Sequence, residues 1–268
     1  MKHVPLICLL LLSPGIFSQT CDEKNTAFST GESLTYEVYY NWGFIWADAG
    51  YVTFRCDTGS LKDKKCWHFN GTGGTHPGYD WFYRVRDKYE SWVDTSSFKA
   101  MRFKRDVSEG GHYIFDDYYF NYSKKKVYTV SKRGNYITKL DSAKITSCTF
   151  DVQTIIYYAR CIDFSKYRPN DTIPFDLFLD GKLEHVYIRY LGKEIFDSKE
   201  TGKYNCINFK PLLIEGSIFS GGENMMVWVT DDKNKIPVYV ESPITVGAIK
   251  VYLKKTSGVR NQMSAKME

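Results

Sequence analysis

The stretch 31-GESLTYEVYYNWGFIWADAGYVTFRC-56 decides the fold class. Leu34, Tyr36, Val38, Tyr40 and Trp42 fall on one face, and Thr35, Glu37, Tyr39 and Asn41 on the other. A period of two with one apolar face is a half-buried β-strand. Val52, Phe54 and Cys56 resume the pattern after a bend. Gly43 permits that bend, and Ala47, Ala49 and Gly50 are small, as a close crossing of backbones requires. Trp42 continues the apolar face and reads as core. Phe44, Ile45 and Trp46 read as a plug folded over one end of the sheet; the alternative is an exposed lip that touches a ligand or a membrane.

The same period recurs along the chain. Strand patterns cover Lys65–Phe69, Trp81–Arg86, Tyr89–Val93, Phe98–Arg105, Tyr113–Tyr122, Lys126–Ser131 and Tyr136–Leu140. Turn signals part them at Asp57–Ser60, Gly71–Gly74, Glu109–Gly111 and Arg133–Asn135. Short strands at this spacing make an antiparallel meander, because parallel strands would need crossover helices. One helix interrupts them, over about residues 150–164. Val152, Ile155, Ile156, Ala159 and Ile162 recur at three and four, with Thr149 or Asp151 as cap and Arg160 in the last turns. Asp151 and Arg160 stand nine residues apart, on opposite sides of the helix, so Arg160 is expected to tie it to a strand carboxylate or a carbonyl. Strands then resume over Thr172–Leu179, Leu183–Leu191, Glu194–Ser198, Tyr204–Leu213, Met225–Val229, Ile236–Glu241 and Val246–Leu253. Asp180-Gly181 and Leu191–Lys193 read as tight turns. The expectation is a mainly β protein: a large curved antiparallel sheet, half-barrel or open barrel, with one mid-chain helix packed on it. Residues 19–256 form a single domain, and 257–268 a polar, flexible tail.

Residues 1–18 have a secretory leader's features: Lys2, the apolar run Leu6–Leu12, and cleavage after Ser18. No later segment has about 18 consecutive apolar residues, so no transmembrane helix is expected. Export permits disulfides. Six cysteines after the leader leave the pairing open. Cys56 with Cys66, flanking a hairpin, and Cys148 with Cys161, flanking the helix, are the candidate pairs, and buried free thiols are the alternative. Cys21 lacks the residues of a lipobox before it. The formal charge is +5, and +4 without Lys2; the lysines are scattered through turns, which excludes a nucleic-acid footprint.

No chemical motif stands out. There is no GxSxG, no GxxxxGK[ST], no HExxH and no CxxC, so no catalytic residue, metal ligand or cofactor is assigned. Asp116 and Asp117 point to opposite faces of a strand and cannot act together. Asp231-Asp232 with Asn234 reads as an Asx turn rather than a calcium loop.

Four stretches together resemble a known family: 31-GESLTYEVYYNWGFIWADAG-50, 151-DVQTIIYYAR-160, 202-GKYNCINFKP-211 and 227-VWVTDDKNKIPVYVESPITVGAIKVYL-253. In that order they are similar to the exported bacterial proteins called domain of unknown function 3108, in a Bacteroidetes-type member. The resemblance spans nearly all the mature chain. It implies a β-rich fold and a periplasmic or outer-membrane location, and it carries no activity or catalytic residue.

The main functional expectation is a non-catalytic binding module, with a lipid or other apolar small molecule held in a β cup. By alternation the lining is Tyr36, Val38, Tyr40, Trp46, Phe54, Trp67, Trp81, Tyr83, Ile155, Ile156 and Trp228. The second is a structural or assembly protein with a filled core, contacting an envelope protein. An enzyme ranks below both. The deciding observation is whether the concave face is filled or open.

Overall fold

The computed structural model describes residues 21–42, 45–135, 138–215, 221–244 and 247–268. The leader and Phe44 lie outside the described residues, as do the side chains of Trp42 and Ile45. The described chain forms fifteen strands. The first wing is β1 (Glu32–Trp42), β2 (Ile45–Leu61), β3 (Lys64–Thr75), β4 (Val85–Asp94), β5 (Ala100–Glu109), β6 (His112–Asn121), β7 (Lys126–Arg133) and β8 (Lys139–Lys144). The second is β9 (Thr149–Phe150), β10 (Thr172–Leu179), β11 (Lys182–Ser198), β12 (Gly202–Pro211), β13 (Met226–Thr230), β14 (Pro237–Pro243) and β15 (Ala248–Ser257). All belong to one sheet, ordered β8-β7-β6-β5-β4-β3-β2-β1-β15-β14-β13-β12-β11-β10-β9. The wings join where β1 pairs with β15, Val38 opposite Val251. Only β9 with β10 is parallel.

A sheet this wide accumulates twist and has to curl to bury one face. It curls until the wings touch. Tyr118 of β6 meets Phe178 of β10 edge to face at 5.1 Å, in a cluster with Phe103, Val127 and Ile145. The edge strands β8 and β9 do not pair with each other, so the barrel stays open.

The helix, α1 (Val152–Ala159), is shorter than the 150–164 expected. β9 takes the residues before it, and a 3-10 turn at Phe164–Lys166 some of those after. Asp151 sets the start. Its carboxylate accepts from the backbone N–H of Gln153 and Thr154 and from the hydroxyls of Ser91 (2.6 Å) and Thr154 (2.7 Å). α1 lies inside the curl against β3, β4, β9 and β10, with Tyr157 stacked on Phe69 at 3.8 Å. Arg160 does reach a strand carboxylate and a carbonyl. It donates to Glu32 at 2.6 and 2.9 Å and to the Asn234 carbonyl at 3.0 Å, with both side chains buried.

Several glycine-rich stretches read as turns serve other ends. β2 runs through Asp57–Ser60 to a turn at Lys62 and Asp63, both in the left-handed region. Gly71–Gly74 lies within β3; at Gly71 a Cβ would run into the Gln153 side chain of α1. Leu191–Lys193 is a bulge in the long β11, with Gly192 at φ 124°. Trp81–Tyr83 is loop, and β4 begins only at Val85. Asp232 closes its own turn, accepting from Asn234 N–H at 2.9 Å.

Neither candidate cysteine pair forms. Cys148 bonds Cys21, Cα–Cα 5.6 Å, while Cys56, Cys66, Cys161 and Cys206 are free and buried. Cys56 opposes Phe69, and Cys66 lies an odd number of residues from Phe69, so the two thiols face opposite sides of the sheet. The length of α1, about 12 Å, separates Cys148 from Cys161. The tail expected to be flexible is packed instead. Ala265 is buried, its carbonyl accepts from Asn205 N–H at 2.8 Å, and Asn261 N–H bonds Asn234.

Candidate functional site

Alternation puts one set of side chains on the concave face, and their exposure changes along each strand. On β1, Leu34 and Tyr36 are buried, whereas Val38 and Tyr40 are half-exposed. On β15, Leu253 is buried, and Val251 and Ile249 are half-exposed. On β2, Cys56 is buried, with Phe54 and Val52 half-exposed; on β4, Val93 and Ser91 are buried, with Tyr89 and Val85 half-exposed. Helix α1 fills one end of the curl. The other end is rimmed by the ends of β1, β2, β14 and β15 and by the β3–β4 and β5–β6 connections, and there the apolar inner wall is partly open.

One sector of that wall is polar. Asp116, fully buried on β6, receives Arg105 of β5 and Arg133 of β7, with Arg105 Nε at 2.8 Å and Arg133 Nη1 at 2.9 Å. Both arginines also reach Asp180 in the β10–β11 turn. The charges therefore latch one wing to the other across the curl. Burial would lift the Asp116 carboxyl, but the bond from Arg133 and the charge of Arg105 hold it below the usual carboxylate range. Nearer the mouth, Asp87 of β4 faces Glu109 of β5, diagonal neighbours on the same face. Burial, and next the Glu109 charge, push the Asp87 carboxyl up to about 7. Sequence reading missed this sector, because Asp87 and Glu109 are twenty-two positions apart and look like ordinary strand polar residues. The Asp116–Asp117 split was legible: Asp117 faces the other side, on Arg102.

The predicted lining divides four ways. Val38 and Tyr40 meet at the open wall. Tyr36 is buried in the filled core, and Trp67, Phe54 and Ile155 pack against it. Trp46 and Trp228 lie on the convex face, in a row of rings with Tyr39, Tyr252, Tyr239 and Phe196, so neither lines the hollow. A bulge at Ala49 in β2 sets the register there. Ile156 is exposed on the outer side of α1, and Trp81 and Tyr83 stand on the rim loop. Trp46, at 46% exposure, belongs to a lip rather than a plug. Two polar hollows on the sheet's convex side, around Thr35, Arg55, Asp57 and Asn70, take no part in this wall.

These features define a class: a barrel-like antiparallel meander, open at its seam, with a helix packed inside one end. A crystal structure of a β-barrel-like protein of domain of unknown function DUF1849 from Brucella abortus is similar in fold, with TM-score 0.57 and 10% identity. The likeness covers 88% of this chain and 100% of that one. The chain belongs to the family described as protein of unknown function DUF3108, which it matches over residues 35–254. No curated protein matches it. Among the described residues no helix is long and apolar enough to cross a membrane, which says nothing of strands.

Proposed function

We infer that the protein is a non-catalytic carrier of the bacterial envelope that holds an apolar or amphipathic molecule, of lipid type, at the open end of its β cup. One observation carries this reading: beside the polar sector, the inner face of β1, β2 and β15 passes from buried at the helix end (Leu34, Tyr36, Cys56, Leu253) to half-exposed at the mouth (Val38, Val52, Val251, Ile249) while its residues stay apolar. A filled core would bury both ends alike, and a solvated surface would turn polar. Val38, Val52, Val251 and Ile249 would take the acyl portion, and the Arg105–Asp116–Asp180 sector would face a polar head. Concave, largely apolar walls with a few polar groups suit such ligands. The leader-like residues 1–18 and a disulfide fit an oxidising compartment.

Native mass spectrometry of protein purified from its own envelope tests the reading. A bound lipid is expected, and it should be lost in a variant whose wall is filled by Val38→Trp with Ile249→Trp. Recovery of empty wild-type protein alone would leave the structural or assembly role as the better account.

A further inference from the structure

The β3–β4 connection is built to display apolar side chains. It turns through a 3-10 segment, Pro77–Tyr79, and then presents Trp81 at 84% exposure and Phe82 at 77%. The two rings touch edge to face, centroids 5.8 Å apart. The mount beneath them is held at several points. Asp80 accepts from Arg86 Nη2 at 2.6 Å and from Thr75 Oγ1 at 2.7 Å. The N–H groups of Phe82 and Tyr83 both bond the Tyr79 carbonyl at 3.0 Å. Tyr83 lies over Gly110, where a Cβ would strike its ring, and Gly110 N–H bonds the Arg84 carbonyl at 2.9 Å. A braced loop that holds two large apolar rings in water has its ordering cost already met for whatever covers them.

We propose that the Trp81–Phe82 knob is a docking point for a lipid bilayer surface, set beside the mouth so that the cup exchanges its cargo with the membrane. The purpose rests on the carrier reading; the docking itself does not. Area decides against a protein partner. The exposed rings of this loop are Trp81 and Phe82 and, at 38% and 41%, Tyr79 and Tyr83; an aromatic side chain buries about 150–250 Å² when fully covered. Together their exposed parts fall short of the roughly 800 Å² per partner of a stable protein interface. A bilayer needs no complementary shape, and Trp beside Tyr settles where hydrocarbon meets head groups. Arg84 follows the rings in sequence and is exposed, a cation that suits anionic head groups.

Flotation with vesicles of phosphatidylethanolamine and phosphatidylglycerol tests this, using the mature chain. The wild type should float, and Trp81→Ala with Phe82→Ala should lower the bound fraction about tenfold or more. Raised salt should weaken binding only slightly, since insertion rather than charge holds the knob. Unchanged thermal melting would show that the variant still folds. A wild type that stays unbound, or a double variant that floats equally well, overturns the proposal. Loss of self-association in sedimentation velocity, with no effect on flotation, would make the knob a contact between copies and also overturn it. Lipid retention in native mass spectrometry is read separately. Wild type that floats but carries no lipid supports the docking and removes the carrier reading.

Discussion

Arg160 and Glu32 show what a buried charge demands. Two carboxylate oxygens and a carbonyl satisfy the guanidinium, so the pair survives without water. Removing one partner strands the other; Arg160→Met should cost about 3–5 kcal/mol in urea denaturation. Arg160→Met with Glu32→Leu should recover much of that loss, because an apolar pair needs no partner. Asp87 gives a pH dependence. The folded state holds its proton up to about 7, whereas the unfolded chain releases it near about 4. Folding therefore binds the proton more tightly, and this group's contribution to stability falls as pH rises between those values. Asp87→Asn should flatten the decline in melting temperature measured between about pH 5 and about pH 8. A variant that follows the wild-type curve would mean that Asp87 is ionised throughout.

Among the elements, α1 depends on one missing side chain. Gly71 leaves room on β3 for Gln153, whose amide reaches the Tyr89 carbonyl at 3.4 Å. Gly71→Ala should destabilise the protein by about 1–3 kcal/mol through overpacking. In a double-mutant cycle with Gln153→Ala the two losses should fall short of adding, because the clash needs both side chains. The periodicity and the Asp151 cap made α1 legible in the sequence, whereas its end and the purpose of Gly71 were not. A glycine chosen for space looks the same in sequence as one chosen for a turn. That ambiguity also misplaced Asp57–Ser60 and Leu191–Lys193. Trp81–Arg86 failed for another reason: aromatic residues favour strands, and nothing local shows that Asp80 and Arg86 will brace a loop instead.

At the scale of the molecule, the Cys21–Cys148 bond ties the segment before β1 to the segment before α1, closing a span of 127 residues. Cys21→Ser should cost about 2–4 kcal/mol. Peptide mapping without reduction should recover this pair and neither Cys56–Cys66 nor Cys148–Cys161. Burial pushes the Cys56 and Cys206 thiols up to about 12 and Cys161 up to about 11. Iodoacetamide should leave them unmodified in the native state and label them only on unfolding, since the thiolate is the reactive form.

Most of the strands, the single mid-chain helix, its Asp151 cap and the opposed Asp116 and Asp117 were determined by the sequence alone. Each rests on a period of two or 3.6, or on a capping group within reach of its own backbone. The tertiary structure alone decided which face of each ring is wet, which cysteines meet, and where the wall opens. Those outcomes depend on the bulges that shift register along β1, β2 and β11 and on how far the accumulated twist brings Asp180 round to Arg105. A bulge costs one residue and reverses every side chain beyond it. Trp46, assigned to the hollow, is therefore found on its back, whereas Trp228 lies there by plain alternation, through its pairing with Tyr239 and that residue's with Tyr252.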